Sequence, residues 1–326
     1  MKYREGAAGL LLAVSLVVVP VVHAQEGAAA APARGKTVVE IKPGRIILVD
    51  IVRTGERLVA VGERGFAMLS DDGGKTWRSR ETPVTRTLTG VAFRDAKVGV
   101  AVGHGGSFIR TEDGGDTWTQ VGVPEAEPES MLGVVALGGD RFAAYGAFGM
   151  YFDSTDAGKS WTRRTVLDED FQWHISQVIP VGSSLLMVAE SGTLARSDDA
   201  GATWTVMTSP YVGSYFGVLA TPDGVIVAYG MRGNVWRTAD FGVTWQKVDL
   251  GTTASLNGGR VLADGRILLV GNSGLLVVSK DGGQTFETHW APGGRGYSAA
   301  AEAGGQIILA GEGGITPLDP AWLQGR

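Results

Sequence analysis

The chain has 326 residues, 44 % of them hydrophobic, with 50 glycines, no cysteine and a formal net charge of −5. The lack of cysteine excludes disulfides, thiolate metal sites, a cysteine nucleophile and a lipidated N-terminal cysteine. Mild acidity without a basic run argues against nucleic acid as a partner. Taken in order, the chain opens with Lys2 and Arg4, then an apolar stretch from Leu10 to Val22 broken only by Ser15 and Pro20, then Val22-His23-Ala24. That pattern predicts a signal peptide over residues 1–24, cleaved after Ala24, and a periplasmic or secreted protein with no membrane span left after cleavage. The alternative is an uncleaved anchor, although thirteen apolar residues fall short of the ~20 that a span needs. Residues 25–35, rich in Ala, Gly and Pro, read as a flexible linker.

From Lys36 the sequence becomes short β-like runs, and one octet recurs six times. It first appears as Ser70, Asp72, Gly74, Thr76 and Trp77, and last as Ser279, Asp281, Gly283, Thr285 and Phe286. The closing aromatics are 41, 43, 43, 41 and 41 residues apart, a period that signals a propeller or a solenoid. The octet is a turn. Its aspartate accepts bonds from backbone N–H groups ahead of it, its glycine takes positive φ, and its aromatic leads into the next strand. Asp72, Asp113, Asp156, Asp199, Asp240 and Asp281 are therefore structural residues. Each holds its own turn, so together they form no metal site.

The octet resembles the Asp box, or bacterial neuraminidase repeat. One full repeat shows four strands: Leu88–Phe93, Val98–Val102, Ser107–Arg110 and Trp118–Val121. A second motif, GxxG, lies between the second and third strands. It occurs seven times, from Gly62–Gly65 to Gly311–Gly314, with alanine replacing the first glycine at Ala189. Seven loops against six Asp boxes leave the last repeat without a fourth strand, while residues 37–41 form a spare one at the start. The expected fold is all-β: a seven-bladed β-propeller of four-stranded antiparallel blades over residues 36–326, closed by the N-terminal strand completing the last blade. A six-bladed ring with loose ends is the alternative. This grammar resembles the photosystem II stability/assembly factor family. The resemblance implies an exported propeller that holds membrane-protein intermediates during assembly, and it specifies a scaffold more firmly than a client.

Blade topology places the GxxG loops and the links between blades on one face, opposite the Asp boxes. The links 80–87, 123–130, 163–172, 207–214, 247–253 and 288–295 differ from blade to blade, and variable loops on a rigid scaffold are the usual place for binding. The candidate partner-binding residues are Glu63, Arg64, Arg86, His104, Phe148, Trp173, His174, Glu190, Tyr215, Phe216, Arg232, Asn272, Tyr297 and Glu312, with Met231 and Asn257 beside them. They combine the aromatic and arginine residues enriched in interface centres. Arg110, Arg196 and Arg237, just before their Asp boxes, are expected to face solvent.

Catalysis is not expected. Sialidases share Asp boxes, but their arginine-bearing start has only a partial counterpart in Gly44-Arg45-Ile46-Ile47, and Glu190 is the best lone acid with no partner. His104, His174 and His289 lack metal-ligand spacing, and there is no nucleophile elbow. The expectation is a monomeric scaffold without cofactor or metal that binds a membrane or envelope protein complex. A secreted sialidase-like glycoside hydrolase and a carbohydrate- or peptide-binding propeller are the alternatives.

Overall fold

The computed structural model describes residues 41–318. The signal segment, the linker and residues 37–40 of the expected closing strand lie outside the described residues. Six four-stranded antiparallel sheets and one three-stranded sheet follow one another in chain order. Their innermost strands are Leu48–Thr54, Leu88–Phe93, Met131–Gly138, Ile175–Val181, Tyr215–Ala220, Leu256–Val261 and Tyr297–Ala303. Each innermost strand packs against the next, and the seventh packs against the first, so the ring is closed. The fold is the seven-bladed propeller that the repeats predict.

The core is divided between the blades. Seven clusters of buried side chains each span two neighbouring blades, including the pair seven and one. The period-two alternation of a strand explains this division. In Arg57–Gly62, Leu58 and Ala60 pack toward blade seven, whereas Val59 and Val61 pack toward blade two. Second strands therefore read as continuous apolar runs. Burying each Leu or Val contributes about 1.5–3 kcal/mol.

All six Asp boxes share one hydrogen-bond pattern. In the first, Ser70 donates its hydroxyl to Asp72 and accepts the Gly74 amide. Asp72 accepts the Thr76 amide through Oδ1 and the Thr76 hydroxyl through Oδ2 at 2.6 Å. In the first two boxes the aromatic differs from expectation, because it folds back onto its turn before the fourth strand begins. Trp77 and Trp118 donate their indole N–H to Gly74 and Gly115 at 2.9 and 3.0 Å. Fourth strands are short, from two residues at Thr119–Gln120 to four at Arg78–Glu81.

Of the strand-three arginines, Arg110 corrects the expectation of a solvent-facing side chain, Arg237 is partly buried, and Arg196 keeps a 41 % exposed side chain paired with Asp198. Arg110 is buried and donates to the Ala157 carbonyl of the next blade's Asp box at 2.6 Å, and Arg237 donates likewise to Gly282 at 2.7 Å. Arg196 stacks over the Phe241 ring at 4.5 Å. Arg57 and Arg141, from second strands, reach the equivalent carbonyls of Gly114 and Ala200. Between them these arginines clamp blades one to six, each to the next, at the rim. We expect Arg110→Met to lower unfolding free energy by about 1–3 kcal/mol, because it leaves a buried carbonyl unpaired. Removing the exposed Arg53–Glu56 pair should cost under ~0.5 kcal/mol. Urea titration of the two variants checks the difference.

The fourth position of every GxxG loop is a glycine with φ between 63° and 82°. A Cβ there would strike backbone of the segment leading out of that blade, at 1.9 Å from the Val84 carbonyl in blade one and 2.0 Å from Tyr211 in blade four. In blade seven the struck atom is the Pro43 carbonyl, at 1.7 Å. Pro43 also accepts the Ile315 amide, and the Ile41 amide donates to Ser79. The chain just after the expected closing strand thus occupies, in blade seven, the place that strand-four exits hold elsewhere.

Candidate binding face and channel

Each innermost strand begins with a β-bulge, a register shift at its second residue. A bulge re-aims the extra side chain. The bulged residues, among them Phe216, Asn257 and Ser298, line the central channel. Several stitch the ring from inside: Thr89 donates to the Met131 carbonyl at 2.8 Å, Asn257 to Tyr297 at 3.0 Å, and Ser298 to Leu48 at 2.8 Å.

The GxxG turns sort their two variable positions into different tasks. The first holds the loop. Glu63, Glu190 and Glu312 accept the amides of Ile47, His174 and Gly296, which lie just before the innermost strands. Glu190 also lies 3.3 Å from His174 Nδ1. At the same position Asn272 accepts from Asn257 at 2.8 Å, and His104 sits 2.9 Å from the Ser130 hydroxyl. The second position presents side chains outward from left-handed backbone: Arg64 at φ 58°, Phe148 at 53° and Arg232 at 56°.

Two chemically distinct sectors result. Arg295 enters blade seven, Arg45 and Arg64 belong to blade one, and Arg86 enters blade two, so exposed arginines span three consecutive blades. Arg86 and Arg295 occupy matching positions two residues before their innermost strands. Each lies across a loop glycine, where a Cβ at Gly105 or Gly313 would meet its Cδ at 2.6 or 3.0 Å. None of these four forms an ion pair among the described residues. Blades three to five carry the apolar sector. Phe148 and Trp173 are half exposed, Val212 is 91 % exposed, and Phe148 meets the His174 ring edge-to-face at 4.9 Å.

Of the fourteen candidate residues, Arg64, Arg86, Phe148, Trp173 and Arg232 present themselves outward on this face. Glu63, His104, His174, Glu190, Asn272 and Glu312 lie there as well, but are engaged in holding loops. Phe216 points into the channel mouth. Tyr215 and Tyr297 are corrections: both are core residues, at 0 % and 6 % exposure. The Tyr215 hydroxyl lies 3.0 Å from Ser209, and burial pushes its pKa up to about 12. They sit where an inward side chain starts every innermost strand, as Leu48 and Leu88 do. Sequence reasoning missed Arg295, although its spacing ahead of Tyr297 repeats that of Arg86 ahead of Leu88. It also missed Asp50 and Arg260 in the channel wall.

Ring, repeated turn and loop face together define an Asp-box β-propeller. The family profile described as Photosynthesis system II assembly factor YCF48 matches residues 75–261, and that of the BNR/Asp-box repeat matches residues 68–79. The chain belongs to the YCF48 photosystem II assembly factor family. Among solved structures it is similar to "YCF48 bound to D1 peptide", at 20 % identity over 86 % of this chain and 95 % of that one, with a TM-score of 0.70. It is similar to YCF48 from Cyanidioschyzon merolae at 17 % identity over 87 % and 99 %, with a TM-score of 0.71. The WD40 β-propeller domain of Doa1 follows at 10 % identity over 86 % and 94 %, with a TM-score of 0.68. These likenesses establish the fold. No curated protein matches the chain.

Proposed function

We propose that this protein is an exported, non-catalytic scaffold whose GxxG face binds a segment of a membrane or envelope protein complex and assists its assembly or stability. The observation that carries this reading is the pairing of four arginines that form no ion pair among the described residues with the half-exposed Phe148 and Trp173 on one rigid face. Arginine forks suit carboxylates, and exposed aromatics suit an apolar stretch, so the face fits an extended segment bearing both. Family membership supports the reading, as does the D1 peptide named for a structurally similar relative. The N-terminal Lys2, Arg4 and Leu10–Val22 pattern supports export; in this reading the protein acts outside the cytoplasm, as a monomer.

The test is co-purification from detergent-solubilised membranes of the source organism. Arg64→Glu, Arg86→Glu and Arg295→Glu combined should reduce client recovery about tenfold or more, since charge reversal leaves client carboxylates facing like charge. Unchanged recovery would remove this face from the account. Because these arginines make no ion pairs among the described residues, thermal stability should be unaffected.

A further inference from the structure

In blades one to six the third position of the GxxG turn is left-handed, with φ between 53° and 67°. Gly105 shows what the turn alone asks for, since glycine takes this conformation without strain. The other five blades place L residues there: Arg64, Phe148, Ser191, Arg232 and Ser273. All five are exposed, so burial does not offset the conformational cost. Phe148 has its ring contact with His174, but the Arg64 and Arg232 side chains make no hydrogen bond or ion pair among the described residues. Backbone strain that no contact within the chain requires points to a contact outside it.

A second pattern, independent of φ, marks the same spot. Blades two and seven carry glycine at the third position, Gly105 and Gly313, and there a link arginine supplies the side chain. The three atoms nearest a Cβ built at Gly105 are Cδ, Nε and Cζ of Arg86. Those nearest a Cβ at Gly313 are Cδ, Nη1 and Cζ of Arg295. A side chain on either turn would displace that arginine. Blades one and five thus supply a guanidinium from the turn itself, and blades two and seven supply one from the preceding link. Blade three supplies the Phe148 ring. Two sequence routes arrive at one arrangement.

We infer that the third turn position is the contact shell of the outer face. Arg64, Phe148 and Arg232 are kept there, at a cost in fold stability, because they touch the client, and Arg86 and Arg295 do the same from the links. The inference rests on the binding reading above, with a client segment both acidic and apolar. Thermal melts, together with fluorescence anisotropy of a labelled peptide of Glu-Leu-Gly repeats and a control of Lys-Leu-Gly repeats, test it. Arg64→Gly and Arg232→Gly should each raise the thermal midpoint by about 1–3 °C. Combined with Phe148→Gly, they should weaken binding of the acidic peptide about tenfold or more. Ser191→Gly with Ser273→Gly should also raise the midpoint, yet bind as wild type does. Arg86→Ala should weaken binding about threefold or more. Adding Gly105→Arg should restore it while lowering the midpoint, because the guanidinium then enters from a left-handed residue. Circular dichroism confirms that each variant is folded. An unchanged or lowered midpoint in Arg64→Gly and Arg232→Gly would overturn the inference. So would full binding by the triple glycine variant, weakened binding by the serine variant, no rescue by Gly105→Arg, or equal binding of the two peptides. The charge-reversal variant of Arg64, Arg86 and Arg295 separates the inference from the reading it rests on. If that variant loses the acidic peptide while the triple glycine variant keeps it, the inference alone fails. If it binds as wild type does, the outer face itself is lost as the binding site.

Discussion

Gly65→Ala is expected to unfold the protein at markedly lower denaturant, with a loss of about 3 kcal/mol or more. A left-handed backbone conformation costs an L residue about 1–2 kcal/mol, and Gly65 has φ +69°. The larger part is collision, since the added Cβ would lie 1.9 Å from the Val84 carbonyl oxygen. That neighbour is backbone and cannot rotate away, so the exit of the blade must move, which disturbs the packing it seals. Gly139→Ala separates the two contributions. Gly139 has φ +57° with nothing within 4 Å, so only the conformational cost of about 1 kcal/mol should remain. Gly314→Ala extends the test to the seam. With the Pro43 carbonyl 1.7 Å away, it should destabilise as much as Gly65→Ala. Denaturant midpoints at constant m-value decide the matter. Equal midpoints for Gly65→Ala and Gly139→Ala would show that the close approach has no energetic weight.

Acid should unfold the ring steeply below pH 4. Asp72, Asp199 and Asp240 are held at a pKa of about 2, led by the hydroxyls of Thr76, Thr203 and Thr238 respectively, with backbone amides adding. At Asp156 partial burial opposes the shift but is outweighed by the Ser160 hydroxyl and amide, again giving about 2. Asp113 and Asp281 are lowered in the same way, against partial burial. A folded pKa below the unfolded one means that the unfolded chain binds protons more readily. Its stabilisation is complete above the unfolded value, near 3.8, and is lost as pH falls from there toward 2. Asp50 runs the other way, because burial raises its pKa, but it is one group against six. The thermal midpoint should be level from pH 7 to pH 5 and fall sharply below pH 4. Asp199→Asn with Asp240→Asn should lower the midpoint at pH 7 and flatten the slope below pH 4. A midpoint at pH 2.5 equal to that at pH 7 would contradict this assignment.

The ring was legible in the sequence because both repeated motifs do local work that each blade repeats. The aspartate of each box satisfies its own turn, and the fourth glycine of each loop admits its own blade's exit, so six and seven copies could be counted without knowing their neighbours. What lay between blades was not legible. Arg110 reads as a solvent-facing strand residue until the next blade's Ala157 carbonyl is placed 2.6 Å away. Tyr215 and Tyr297 read as surface aromatics because they follow variable links, yet the bulge that begins each innermost strand turns the following residue outward and leaves them in the core. The binding face was half legible. Loop position identified Arg64, Phe148 and Arg232, whereas Glu63, Glu190 and Glu312 proved to hold backbone amides. The signal for that lay in the spacing of sixteen residues between each glutamate and the amide that it accepts.

The central claim is that the GxxG face, and not the Asp-box face, meets the client. Site-specific photo-crosslinking in the source organism tests it most directly, with a photoreactive residue at Phe148 or Val212 on one face and at Val243 in an Asp box on the other. Val212 and Val243 are both largely exposed, at 91 % and 80 %, so reach is matched. The account predicts discrete adducts with a membrane or envelope protein from Phe148 and Val212 and none from Val243. Adducts arising from Val243 alone, or equally from both faces, would contradict it.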